Sequence, residues 1–146
     1  MPSSKSLFTE AQQKALLDAI AAAEQKTSGE VTLHIDNFCW GDPYKRALLL
    51  FRKLNLHETK QRNGVLLYVA IRSHKLALVA DEGIYKKVSA DYWDGILDLL
   101  KTHFKKQEYH AGLCQAIHSI GEQLRGQFPV SAENKNETPD TISFGS

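Results

Sequence analysis

The sequence predicts a single-domain α/β sandwich, a small mixed sheet flanked by helices in the order α-β-α-β-β-α-α. Three observations predict it. Residues 65–71 read Val-Leu-Leu-Tyr-Val-Ala-Ile, apolar throughout, as a strand buried on both faces must be. Stretches with apolar residues three and four apart stand on either side of that run and read as amphipathic helices. The chain has 146 residues, 42% of them hydrophobic and 24% charged, which is enough apolar material for one ordinary core.

The first helix starts at Thr9, an N-cap with Gln12 three residues on as in a capping box, and Phe8 before it as a staple. Leu16, Leu17, Ile20 and Ala23 carry it to about Lys26, and Gly29 is read as a left-handed stop. Residues 30–35 alternate, with Val31, Leu33 and Ile35 on one face and Thr32 and His34 on the other, so the strand should be half-buried. Asp42-Pro43 is an N-cap followed by proline at the first helical position, opening a second helix to about Leu54. Asn63-Gly64 is a hairpin dipeptide, but no alternating strand precedes it, so it is read as the entry to the apolar strand.

Residues 72–75 are expected to be a hairpin loop, with a third strand over 76–80. Asp81-Glu82-Gly83 breaks the pattern, and a short turn leads to Ser89, the cap of a helix holding Trp93, Ile96, Leu97 and Leu100. A last helix runs from about Tyr109 to Gln127. Residues 1–6 are read as an N-terminal arm, 7–128 as the domain and 129–146 as a polar mobile tail, with docking of Ile142 and Phe144 as the alternative.

Net charge is +1, without the excess that drives binding to phosphate backbones, so no nucleic-acid partner is expected. Met-Pro-Ser-Ser-Lys-Ser at the start has no apolar region after it, and no run is long enough to span a bilayer. Cys39 and Cys114 form no disulfide framework. A cytoplasmic monomer without a membrane anchor is the expectation.

The predicted topology gathers particular residues. A helical crossover makes the first two strands parallel, and a hairpin makes the third antiparallel. Asp81 and Glu82 then fall beside Arg62, Asn63 and Gly64, with Asp81 opposite Leu66, Glu82 opposite Val65 and Glu30 at the same edge. Asp36, Cys39 and His74 fall at the opposite end. Carboxylates, an amide oxygen and backbone carbonyls are hard ligands that suit Ca²⁺ or Mg²⁺. Pattern alone favours the plainer reading, ordinary solvated loop carboxylates with Arg62 as a pairing partner.

Other motifs fall short. Cys39 and Arg46 have six residues between them, where a cysteine-phosphatase loop has five. His110, Cys114 and His118 share a helix stripe, but no fourth zinc ligand is evident. Trp40, in a loop, is the better candidate among the tryptophans for a partner contact, and Arg62 for a phosphate or partner contact.

At Asn63-Gly64-Val65-Leu66-Leu67-Tyr68-Val69-Ala70 the chain resembles the TPM-domain family. That family takes its name from a thylakoid acid phosphatase, a photosystem II repair protein and a modulator of acetylcholine receptors. Asp81-Glu82-Gly83-Ile84 stands where the family has a glycine-punctuated acidic loop, although the family's loop is richer in glycine. Phe8-Thr9-Glu10, Thr27-Ser28-Gly29-Glu30-Val31 and Gln107-Glu108-Tyr109-His110-Ala111-Gly112-Leu113 are similar to family patterns as well. The likeness covers roughly residues 7–127, and the tail is similar to that of a soluble bacterial subgroup.

The resemblance implies a helix-flanked sheet, divalent-cation binding near the acidic loop and, in some members, phosphatase activity. Carried over, the cation site is Asn63, Asp81 and Glu82, with Arg62 adjacent. Two readings follow: a non-catalytic interaction or assembly module whose loops a cation orders, or a metal-dependent acid phosphatase acting on phosphomonoesters. The absence of a nucleophile or general base beside the carboxylates favours the first.

Overall fold

The structure is a computed structural model that describes residues 8–130 and 142–145. Helix α1 spans Glu10–Glu24, strand β1 Glu30–Asp36, helix α2 Pro43–Lys53, strand β2 Gly64–Ala70 and strand β3 Lys75–Ala80. A 3₁₀ turn, Leu56–Glu58, precedes β2. A one-turn helix α3, Glu82–Tyr85, then leads to α4, Ala90–Lys105, α5, Tyr109–Gln127, and a short strand β4, Ile142–Phe144.

The local signals act much as the sequence implies. Thr9 and Gln12 close a reciprocal capping box at α1, and Asp42 accepts from the Tyr44 amide ahead of Pro43 in α2. Helix α1 stops at Glu24, short of the expected end near Lys26, and no glycine among the described residues has positive φ. Gly29 therefore does not act as a left-handed stop. Its role is close packing: a Cβ there would lie 2.7 Å from Leu124 Cδ2 on α5.

The four strands form one mixed sheet in the order β3-β2-β1-β4, with β1 parallel to both β2 and β4 and β3 antiparallel to β2. Helices α1, α4 and α5 cover one face, packing Leu16, Ile20, Trp93, Leu100, Ile117 and Leu124 against the odd-numbered residues of β1 and β2. Helix α2 covers the other face, where Leu50 and Phe51 meet Leu66, Tyr68, Ala77 and Val79. Each fully buried leucine among these removes enough apolar surface to stabilise the fold by about 2 kcal/mol.

Three expectations change. Strand β1 is buried along its whole length rather than on one face, because it lies between β2 and β4 and its polar side is closed by side-chain contacts. The hairpin loop is 71–74, so Ala80 pairs with Val65 and the Asp81 amide bonds the Gly64 carbonyl. That register is two residues from the expected one, which preserves which side chains share a face. Finally, part of the segment read as a mobile tail is a strand: Ile142, Ser143 and Phe144 pair with Leu33, His34 and Ile35. The arm at 1–6 and tail residues 131–141 lie outside the described residues.

Candidate functional site

At the end of the sheet where β2 begins, Arg62 meets Asp81 and Glu82, while the Asn63 side chain is bonded to Ser28 and Gln61. Asn63 is 1% exposed and its amide N–H donates to Thr59 Oγ1 at 3.1 Å, which fixes the chain just before β2. Its side-chain Nδ2 donates to Ser28 Oγ at 3.1 Å, and Ser28 donates to Gln61 Oε1 at 2.8 Å. Asp81, 6% exposed, caps α3 through the Glu82 amide at 2.8 Å. Glu30, paired with Gly64, is at the same edge as expected.

Arg62 closes this cluster. Its Nε donates to Asp81 Oδ2 at 2.7 Å and its Nη2 to Asp81 Oδ1 at 2.9 Å, a two-pronged carboxylate grip. Its Nη1 lies 3.5 Å from Glu82 Oε1. The Asp81 hydrogen bonds raise the guanidinium pKa further above its ordinary value. Arg62 sits at φ 51, a left-handed conformation costly for a side chain of this kind, and the grip on Asp81 helps hold it there. Gly83 fits because a Cβ there would collide with the backbone carbonyl oxygens of Gln61 and Arg62. The two loops therefore touch through backbone oxygen.

Asp81 and Glu82 carry oxygen donors of the kind hard cations prefer. The Gln61 and Arg62 carbonyls lie in the adjoining turn, against Gly83. In this conformation a guanidinium neutralises both Asp81 oxygens, the pairing the plainer reading anticipates, but Asp81 is buried rather than solvated. Among the described residues, no group of three or more His, Cys, Asp or Glu side chains is placed to share a metal ion. The His110, Cys114 and His118 stripe is spent otherwise: His110 Nε2 donates to the Gln12 carbonyl at 3.0 Å.

A second polar cluster, which sequence reasoning missed, lies at the carboxyl end of β1. Asp36 is 2% exposed. It accepts from His34 Nε2 at 2.7 Å, Tyr68 Oη at 2.7 Å and Arg46 Nε at 3.1 Å. His34 Nδ1 is hydrogen-bonded to the Ser143 hydroxyl at 2.8 Å. His34 also stacks on Tyr68, with ring centroids 5.8 Å apart.

Burial alone would raise the Asp36 pKa, but the hydrogen bonds from His34, Arg46 and Tyr68 outweigh it and bring the value down to about 2. Burial and the bond to Asp36 push the Tyr68 phenol well above its ordinary value. The signal for this cluster was present in the sequence. His34 and Asp36 share the polar face of β1, and parallel pairing puts Tyr68 beside His34.

Of the residues expected here, Cys39 is a buried packing residue, and His74 stays in the β2–β3 loop at φ 55. Trp40 is 87% exposed and stacks on Phe38, with centroids 5.1 Å apart. No helix among the described residues is long and apolar enough to cross a membrane.

Comparison with known proteins agrees with this architecture. The chain matches the family model described as TPM domain over residues 3–123. It is similar to the solution structure of the BA42 protein from the psychrophilic bacterium Bizionia argentinensis, at 36% identity and a TM-score of 0.87, covering 93% of this chain and 94% of that one. Two more distant structures share the fold. One is the N-terminal domain of a protein from P. gingivalis, with 19% identity, TM-score 0.69 and coverage of 84% and 79% of the two chains. The other is an N-terminal domain from Corynebacterium glutamicum, with 10% identity, TM-score 0.58 and coverage of 90% and 80%. Among curated proteins none matches. With a family model spanning most of its length and a relative of the same fold at this identity, the chain belongs to the TPM-domain family.

Proposed function

We propose that this chain is a non-catalytic interaction module whose acidic loops take up a divalent cation, Ca²⁺ or Mg²⁺, in exchange for the Arg62 guanidinium. The observation that carries the reading is the two-pronged Arg62–Asp81 pair, with Glu82 beside it. Asp81, Glu82 and the amide oxygen of Asn63 would hold the ion. The ion would supply positive charge that ties the loop before β2 to the loop after β3. Arg62, 44% exposed at its side chain, would then be released toward solvent or a partner. Trp40, projecting from the β1–α2 loop at the opposite end of the sheet, is a second contact for a protein partner.

The cluster's own chemistry supports the non-catalytic reading. The Ser28 hydroxyl bonded to Asn63 donates to an amide oxygen rather than to a base that could activate it. Both Asp81 oxygens are committed to Arg62 and the α3 cap.

A metal-assisted phosphatase acting on phosphomonoesters is the second reading. A partly exposed guanidinium beside two carboxylates favours it, since such a group can pair with a phosphate while the cation polarises it.

Titration with Ca²⁺ and Mg²⁺, followed by backbone amide shifts, tests the cation site. Saturable shifts confined to residues 62–65 and 81–84 are the expected result, and no localised shift at millimolar ion removes the site. Turnover of a phosphomonoester by the loaded protein, lost in Asp81→Asn with the fold intact, would replace the first reading by the second.

A further inference from the structure

Among the described residues, strand β3 is an edge strand of the sheet. The Asp81 amide bonds the Gly64 carbonyl, and the same register pairs Val79 with Leu66, Ala77 with Tyr68 and Lys75 with Ala70. In an antiparallel ladder, directly bonded pairs alternate with pairs whose backbone groups point away from each other. Leu76, Leu78 and Ala80 are therefore the residues whose N–H and C=O groups point away from β2. Among the described residues, no strand lies beside them. An edge of this kind is a template for another extended chain unless it is covered or blunted.

The edge lies at the bottom of a cleft. A cavity of about 350 Å³ runs along it, walled by Trp93, Leu97 and Asp94 of α4, by Tyr44 of α2 and by Tyr85 of α3. Leu76, Leu78 and Ala80 belong to the face packed by α4, and Ala77 to the face packed by α2. A strand added here would send alternate side chains to those two sides. One set would meet the apolar surface of Trp93 and Leu97. The charged side chain that lines the cavity is an exposed carboxylate, Asp94 of α4. The opposite edge of the same sheet already accepts a short extended segment, the three residues of β4 on β1.

We propose that the β3 edge is a binding groove for an extended peptide of a partner protein, one that alternates apolar with basic residues and docks by strand addition. Its backbone pairs with Leu76, Leu78 and Ala80, its apolar side chains fill the cleft beside Trp93 and Leu97, and its lysine or arginine meets Asp94. The inference rests on reading the domain as an interaction module, but it does not depend on the cation.

The test uses the full chain and a capped eight-residue peptide alternating valine with lysine, followed by amide shifts and hydrogen exchange. The expected result is saturable binding in which the Leu76, Leu78 and Ala80 amides become protected. The same peptide N-methylated at alternate amides should bind at least tenfold more weakly. Asp94→Lys, an exposed change outside the core, should weaken the valine–lysine peptide at least threefold. Ala80→Pro, which removes an outward N–H while leaving the bonds to β2, should do the same.

No saturable shift along β3 at millimolar peptide overturns the proposal. So does equal binding of the methylated peptide, or a dimer by light scattering that buries β3, which assigns the edge to a second copy. Failure here alongside a positive cation titration overturns the groove alone. Success here without a cation response leaves the interaction reading standing and removes only its acidic loop.

Discussion

Asp36 is the residue whose environment is most sharply set. Three donors converge on one carboxylate that is almost wholly out of water, and they hold its pKa at about 2, below the ordinary 3.8. A carboxyl whose folded pKa is depressed contributes stability that is fully present above its unfolded pKa and is lost as the pH falls through the folded value. The window is therefore from about 4 down to about 2, and the shift corresponds to roughly 2 kcal/mol. Asp36→Asn should remove this dependence, so urea midpoints of the two proteins, well separated at pH 7, should converge toward pH 2. A gap that stays constant across that range would mean that Asp36 is not ionised against these donors. Gly145 bears on the same point, because a Cβ there would collide with Asp36 Oδ1 and lie 2.8 Å from His34 Nε2.

Among the elements, β4 gives the clearest prediction. Ile142 is 9% exposed and packs in the core shared with α1 and α5, while Ser143 reaches His34 on the other face. Truncating a buried isoleucine loses transfer energy and leaves a void, so Ile142→Ala should cost about 2 kcal/mol or more in denaturant unfolding. An unchanged midpoint would show that the strand contributes nothing in solution.

This strand also marks where the sequence stopped being legible. Helices with caps and a continuous apolar strand announce themselves through local chemistry, and α1, α2 and β2 were readable for that reason. A three-residue strand in a polar tail carries no period, and only the open edge of β1 selects it. The same neighbour explains why β1 was read as half-buried. Thr32, His34 and Asp36 alternate as a solvated face would, yet β4, Tyr68 and Arg46 enclose them. The acidic cluster was readable because hairpin direction alone puts Asp81 beside Asn63, and a two-residue register error does not move it to another edge. The geometry of the Arg62 grip was not readable, since it depends on the left-handed turn at that residue.

At the scale of the whole molecule, the Arg62–Asp81 pair joins the segment that leads into β2 to the segment that leaves β3, so its state bears on the stability of the sheet as a unit. Removing the guanidinium with Arg62→Gln leaves Asp81, 6% exposed, without its ionic partner, and the protein free of divalent ions should melt lower. A cation that occupies the same carboxylate no longer has Arg62 to displace, so its affinity should rise by about three- to tenfold, a modest factor because the pair is partly open to water. Ligand linkage then sets the sign of the comparison: at about 100 times Kd, a bound ion adds roughly 2.7 kcal/mol to whichever chain binds it. Arg62→Gln should therefore gain more from a fixed, subsaturating Ca²⁺ concentration than the natural chain does, and the two melting curves should draw together as Ca²⁺ is added and part again with a chelator. Equal, small responses in both chains would mean that Arg62 and the cation do not compete. In that case the guanidinium is a permanent clasp between the two loops, and the acidic loop is structural.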